Sequence, residues 1–163
     1  MEDERTELEN FLDMIRAELV ETLRGLTEEQ ARRRLVPSLT TPLALVKHAT
    51  FVERVWFSHR VDGRTRAEVG IGEDVDSSFV TSDADTVEGA IALFEEAAAD
   101  SRRIAAEHDL GETFQARHGA VTLHWIYLHM IQELARHAGH ADILREQLLA
   151  ADAFGSTDIG ADG

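Results

Sequence analysis

Apolar residues recur at three- and four-residue intervals over four stretches of the chain, and no stretch shows convincing two-residue alternation. The first helix is predicted over about residues 4 to 25, with Leu8, Phe11, Leu12, Ile15, Leu19 and Leu23 on one stripe. "LTEEQARRRL" follows, where Thr27 and Gln30 have the spacing of a capping box for a short helix. A second long helix starts at "TTPLALVKH", with Thr41 as N-cap and Pro42 as first helical residue, and runs to about Arg60. Residues 61–85, rich in Gly, Ser and Asp, read as a long connection. Asp85 and Glu88 then have capping spacing for a third helix, whose stripe is Val87, Ile91, Phe94, Ala98 and Ile104 or Ala105. Residues 109–121 read as a second loop punctuated by Gly111 and Gly119. The fourth helix is predicted from about Thr122 to Leu149. These elements predict an all-α fold, a four-helix bundle with a long connection between its second and third helices. Residues 1–150 form the bundle, and residues 151–163 an acidic, Gly-rich tail expected to be loosely ordered.

Three polar residues, Glu133, His137 and His140, interrupt the stripe of the fourth helix. On a wheel of about 100° per residue with Glu133 as origin, Ile126 and Leu144 fall near about 20° and Met130 and Leu148 near about 60°. His137 falls near about 40° and His140 near about −20°, which places all three polar side chains on the inward face. In "LALVKHATFVERVWFSHR", His48 likewise takes a place in the stripe Leu45, His48, Val52, Val55. Burying a carboxylate or an imidazole without a partner costs free energy, and a cation offsets that cost directly. Glu133 and His137 lie one helical turn apart, so one helix offers two ligands to one ion. His48, Glu133 and His137 make a set of two imidazoles and one carboxylate from two helices. Such a set leaves coordination positions open, as catalytic sites do.

Composition narrows the partners. Acidic residues outnumber basic ones 31 to 16, for a formal charge of −15, so nucleic acid and anionic membranes are repelled. The chain has no cysteine, which removes disulfides, thiolate ligands and a cysteine nucleophile. "MEDERTELEN" does not read as a signal peptide, and no apolar run reaches the roughly 20 residues of a membrane span. A cytoplasmic location is the expectation. No Gly-rich phosphate loop, basic patch or Ser-His-Asp constellation is supported.

The remaining histidines read as peripheral. His124 and His129 flank the fourth-helix stripe, with His129 able to pair with Glu133; His59 falls at the bundle rim, and His108 and His118 in solvent. Trp56, Phe57 and Trp125 read as core or interface aromatics rather than a substrate platform, and the acidic clusters at 73–76 and 95–96 as solvated surface.

"LVKHATFVERVWF", followed about 70 residues later by "LHMIQELARHAGHADILRE", resembles the DinB superfamily, in particular its actinobacterial branch. The resemblance covers nearly the whole chain. It implies a four-helix bundle that binds a divalent metal, Zn²⁺ or Ni²⁺, through one residue of the second helix and two of the fourth. Those positions are His48, Glu133 and His137 here. Many members have histidine in place of Glu133, whereas the mycothiol-dependent maleylpyruvate isomerase branch has glutamate. A His-Arg-Gly-Gln run common in the family reads "HAGH" from His137, so His140 replaces a glutamine. One lysine against fifteen arginines fits a GC-rich, mycothiol-using host.

The resemblance implies low-molecular-weight thiol chemistry. The leading expectation is a metal-dependent S-transferase or isomerase using mycothiol, with a metal-activated thiolate attacking a small electrophile. His140 is the candidate for proton transfer or for orienting a ligand. Two alternatives stand: a hydrolase using metal-bound water, and a non-catalytic bundle for ligand binding or dimerisation. The family also implies a homodimer.

Overall fold

The computed structural model describes residues 3–155. Its first helix, α1 (Glu4–Leu23), is capped by Asp3, whose side chain accepts from the Thr6 amide. Leu12, Ile15, Leu19 and Leu23 bury along its inner face, while Phe11, predicted on that stripe, is 57% exposed. The short α2 (Glu28–Arg32) forms with the reciprocal Thr27–Gln30 capping box that its sequence predicts. The next helix, α3 (Pro42–Glu53), starts with Thr41 accepting from the Ala44 amide and Pro42 in the first turn. It continues without a break as a π-helical segment, Arg54–Val61. The predicted end near Arg60 therefore holds, but the last two turns are wider than an α-helix.

The connection after it is not a featureless loop. It holds α4 (Arg66–Val69), with its own Thr65–Glu68 capping box, and a 3₁₀ turn, Asp76–Phe79. The following helix, α5 (Val87–Ala105), is capped by Thr86 and not by Asp85. Asp85 is engaged with Lys47 of α3 and with Ser82. Thr86 Oγ1 accepts from the Gly89 amide at 3.0 Å and would lie 2.8 Å from a Cβ at that position, so a side chain there would push the Thr86 hydroxyl aside. The second predicted loop contains an antiparallel hairpin, β1 (Thr113–Ala116) and β2 (Gly119–Thr122), paired from Thr113–Thr122 to Ala116–Gly119. Gly119 takes φ 127°, a value closed to most L-residues. The hairpin runs directly into α6 (Leu123–Gly155), which extends past the predicted end at Leu149 into the segment read as tail. The rest of that segment, 156–163, lies outside the described residues.

The long helices α1, α3, α5 and α6 form the bundle. Its core is apolar: Leu12, Leu19, Leu43, Phe57, Phe94, Ile104, Ile126, Met130 and Leu134 are all at most 1% exposed. One ionic group interrupts it. Arg16 of α1 donates to both carboxylate oxygens of Glu53 on α3 at 2.7 and 2.8 Å, and Ser101 of α5 donates to the same carboxylate at 2.7 Å. Among the described residues no helix is long and apolar enough to cross a membrane.

Candidate metal centre and its cleft

His48 of α3 and Glu133 and His137 of α6 come together. His48 Nε2 lies 3.4 Å from Glu133 Oε1, and His137 Nε2 lies 3.1 Å from the same oxygen. The three donor atoms all fall within 4.8 Å of one another. The His48 ring is enclosed: Phe79 stacks on it at 4.1 Å and 16°, and the edge of His137 meets it at 4.8 Å. His48 is 3% exposed, and the Glu133 and His137 side chains are 21% and 12% exposed.

The third residue predicted to face inward on the last helix does not. His140 is exposed and reaches the cluster only through a ring contact of 5.9 Å with His137. Leu134, Ala138 and Ala141, all buried, sit near about 100°, 140° and 80° on the wheel, which moves the stripe's centre to about 75°. His137 is then about 35° from that centre, Glu133 about 75° and His140 about 95°, at the edge of the helix face.

A residue of the long connection sets the tautomer of His48. Ser78 Oγ lies 2.7 Å from His48 Nδ1 and donates its proton to the Val75 carbonyl at 2.5 Å. A hydroxyl has one proton to give, so Ser78 accepts from His48 Nδ1–H. In the neutral ring Nε2 is therefore a lone pair, and it faces a carboxylate oxygen. Hydrogen bonding from His137, and from His48 whenever its ring carries a second proton, holds the Glu133 carboxyl well below the usual carboxylate range, against the opposing effect of burial. Two acceptors facing each other need a cation between them, either a proton or a metal ion. Among the described residues His137 Nδ1, the nitrogen that faces away from Glu133, is buried without a hydrogen-bond partner.

The donor set fits a metal. Ligand bonds of about 2.1 Å in a tetrahedral site separate ligand atoms by about 3.4 Å, close to the two histidine–glutamate distances. Nitrogen and oxygen donors in this ratio suit Zn²⁺ and neighbouring divalent ions.

The centre opens onto a cleft of about 490 Å³ between α3, its π-helical end, the hairpin and α6. Trp56, Trp125 and His129 form one wall, with Trp125 and His129 parallel at 5.0 Å and Trp56 tilted against both. Trp56 and Trp125 thus line the cleft, while Phe57 is a core residue as read from sequence. His129 forms no direct pair with Glu133; it packs between the tryptophans, and burial lowers its pKa. Arg60, Arg66 and the exposed His118 also face the cleft. His59 bonds the Arg64 carbonyl, His108 pairs with Glu112, and the half-buried His124 pairs with Glu4.

Sequence reasoning missed Ser78 and Phe79, whose contact with His48 spans about thirty residues and leaves no local signature. Arg60 had one: it follows Trp56 by four residues on a helix, and its guanidinium sits 5.6 Å over that ring.

Comparison with known proteins bears on the same residues. No curated protein matches the chain. A family model described as mycothiol-S-transferase (MST), a DinB-like family, matches residues 7–150, a span that contains the three clustered residues, Ser78 and the whole cleft lining. The chain belongs to the mycothiol-S-transferase family.

Proposed function

We propose that the protein is a metal-dependent mycothiol S-transferase, or an isomerase of the same chemistry, with His48, Glu133 and His137 as metal ligands. The observation that carries this reading is the convergence of two imidazole nitrogens on one carboxylate oxygen beneath a cleft, in a chain of this family. A divalent cation held there would lower the pKa of a coordinated thiol so that thiolate predominates near neutral pH.

The chain's own residues supply the rest. Ser78 fixes the His48 tautomer that leaves Nε2 free, and Phe79 keeps water from that ring. Glu133 contributes one negative charge, which partly neutralises a dication. The cleft positions an electrophile beside the thiol. As the sulfur–carbon bond forms, the electrophile's bond to its leaving group breaks and that group departs with the electron pair, as halide from an alkyl halide, while the thiol proton goes to solvent; we assign its transfer to His140, which touches His137 at the rim. Since the chain has no cysteine, the sulfur comes from the cofactor.

The test is conjugation of mycothiol to a fluorogenic alkyl halide, with and without chelator. Turnover that needs both thiol and metal is expected. Ester hydrolysis unaffected by thiol would point instead to metal-bound water as nucleophile, and no turnover of either kind to a binding bundle.

A further inference from the structure

A second cavity, of about 250 Å³, lies between α3, α5 and the connection that joins them. Arg54, the first residue of the π-helical segment, is half-buried in its wall. Among the described residues it makes no hydrogen bond and no ion pair. That is unusual in this acidic chain, where most arginines meet a carboxylate and Arg34, Arg60 and Arg145 donate to backbone carbonyls. Arg117 also lacks a partner among the described residues, but it is exposed at the turn of the hairpin. The groove on the other side of Arg54 holds Glu68, Glu96 and Asp100, and none of them pairs with it: Glu68 caps α4, and Asp100 is held by Arg64 and Arg103. Inside the cavity the other charges cancel, because Lys47 binds Asp85 at 2.8 Å. One positive charge is left over, on a group with five N–H donors and no acceptor in reach. A polar group withdrawn from bulk water costs free energy until it finds a partner. Gly70, Gly72 and Gly89 keep the space in front of it open, and a Cβ on Gly70 would come 4.0 Å from Arg54 Nη1.

We propose that this cavity is a second ligand site, that it binds a short-chain monocarboxylate on Arg54, and that its occupancy tightens the metal centre. A guanidinium fork matches the two oxygens of a carboxylate. The single uncompensated charge suits a monoanion, whereas a dianion would be repelled by Asp85 in the same wall. Phe51, Ile71 and Leu93 offer an apolar surface for the chain of the acid. The volume is just under the roughly 300–1,000 Å³ of drug-sized sites, which keeps that chain short. The cavity shares a wall with the metal centre. Ser78 lines it and accepts from His48, and Phe51 lines both cavity and cleft with its ring 6.2 Å from that of His48. An acid held between Arg54 and the 70–78 stretch of the connection clamps that stretch to α3, and so keeps Ser78 on His48. The coupling is reciprocal, so metal tightens the acid by the same factor. The linkage rests on the proposed metal ligands; binding of the acid does not.

Titrating the metal-free protein with isobutyrate, followed by ¹⁵N–¹H NMR, tests the site. Saturable shifts are expected at the amides of Gly70, Gly72 and Gly89, while Gly139, in a groove between α1 and α6, stays unmoved. Isobutyramide, which lacks the charge, should shift none of them. Arg54→Gln should weaken isobutyrate about tenfold or more, the size expected for losing a charged hydrogen bond. Leu93→Glu should weaken it too by placing negative charge in the lining, and since Leu93 is 47% exposed this variant keeps the test open should Arg54→Gln misfold. Circular dichroism checks both folds. No saturable shift, equal shifts with isobutyramide, or unchanged affinity in the folded variants would overturn the site. Inorganic phosphate binding more tightly than isobutyrate would overturn the monoanion assignment. For the linkage, Zn²⁺ affinity measured by chelator competition should rise about fivefold or more under saturating isobutyrate in wild type, and not in Arg54→Gln. An affinity that does not move would overturn the linkage and leave the site standing. A wild type that binds no Zn²⁺ would sink the metal centre and the linkage together, while the NMR result stands by itself.

Discussion

Ser78 decides which nitrogen of His48 faces Glu133, although it is no ligand itself. Removing its hydroxyl frees the ring to flip or to change tautomer. Ser78→Ala should weaken Zn²⁺ binding by about 10- to 100-fold while the fold survives, measured by competition with a chromophoric chelator. An unchanged affinity would show that the Phe79 stack alone holds the ring. At His140 the expectation differs: His140→Gln should slow thiol transfer and leave metal affinity nearly intact, because the ring is exposed and touches only His137. At this scale the sequence was informative where a polar residue broke an apolar stripe, as with His48, Glu133 and His137. It misplaced His140 because the wheel was centred on four residues and omitted Leu134, Ala138 and Ala141. Ser78 escaped because its partner is distant in sequence.

Elements follow their caps, and the departures have local causes. Asp85 had capping spacing, but the ammonium of Lys47 binds it and the next residue, Thr86, takes the cap. The hairpin escaped because its strands are only four residues each and none of their residues is fully buried, too short a run for alternation to stand out in the sequence. The π-helical end of α3 was invisible, since its residues are ordinary helix formers. Two tests belong here. Arg16→Met should destabilise the protein by about 3–5 kcal/mol in urea unfolding, because Glu53 is left charged in the core. The Asp85 carboxyl is opposed by burial, yet hydrogen bonds from Lys47 and Ser82 lower its pKa below 3.8 overall. Its contribution to stability is therefore present above that value and lost as pH falls through the lower folded one. The stability gap between wild type and Asp85→Asn should be constant above about pH 5 and shrink in acid. A gap that grows in acid would contradict the Lys47 pairing.

At the scale of the molecule, four apolar stripes were enough to predict the bundle, because burying four helix faces against one another has few solutions. What no stripe encodes is relative height along the bundle axis. Whether His48 on α3 sits level with Glu133 on α6 depends on the caps and loops that set where each helix starts. A metal bound there clamps two helices and stabilises only the folded chain. Zn²⁺ at about 100 times its dissociation constant should add about 2.7 kcal/mol, which for a chain of this size raises Tm by roughly 5–10 °C. His48→Ala should abolish that shift.

Metal content per chain, by elemental analysis of protein purified without chelator and again after reloading and dialysis, tests the centre most directly. One divalent ion per wild-type chain is expected, falling to near zero in His48→Ala and Glu133→Gln variants that keep their helical circular dichroism. A wild type that neither carries nor takes up metal, or a His48→Ala protein that retains a full equivalent, would contradict the assignment.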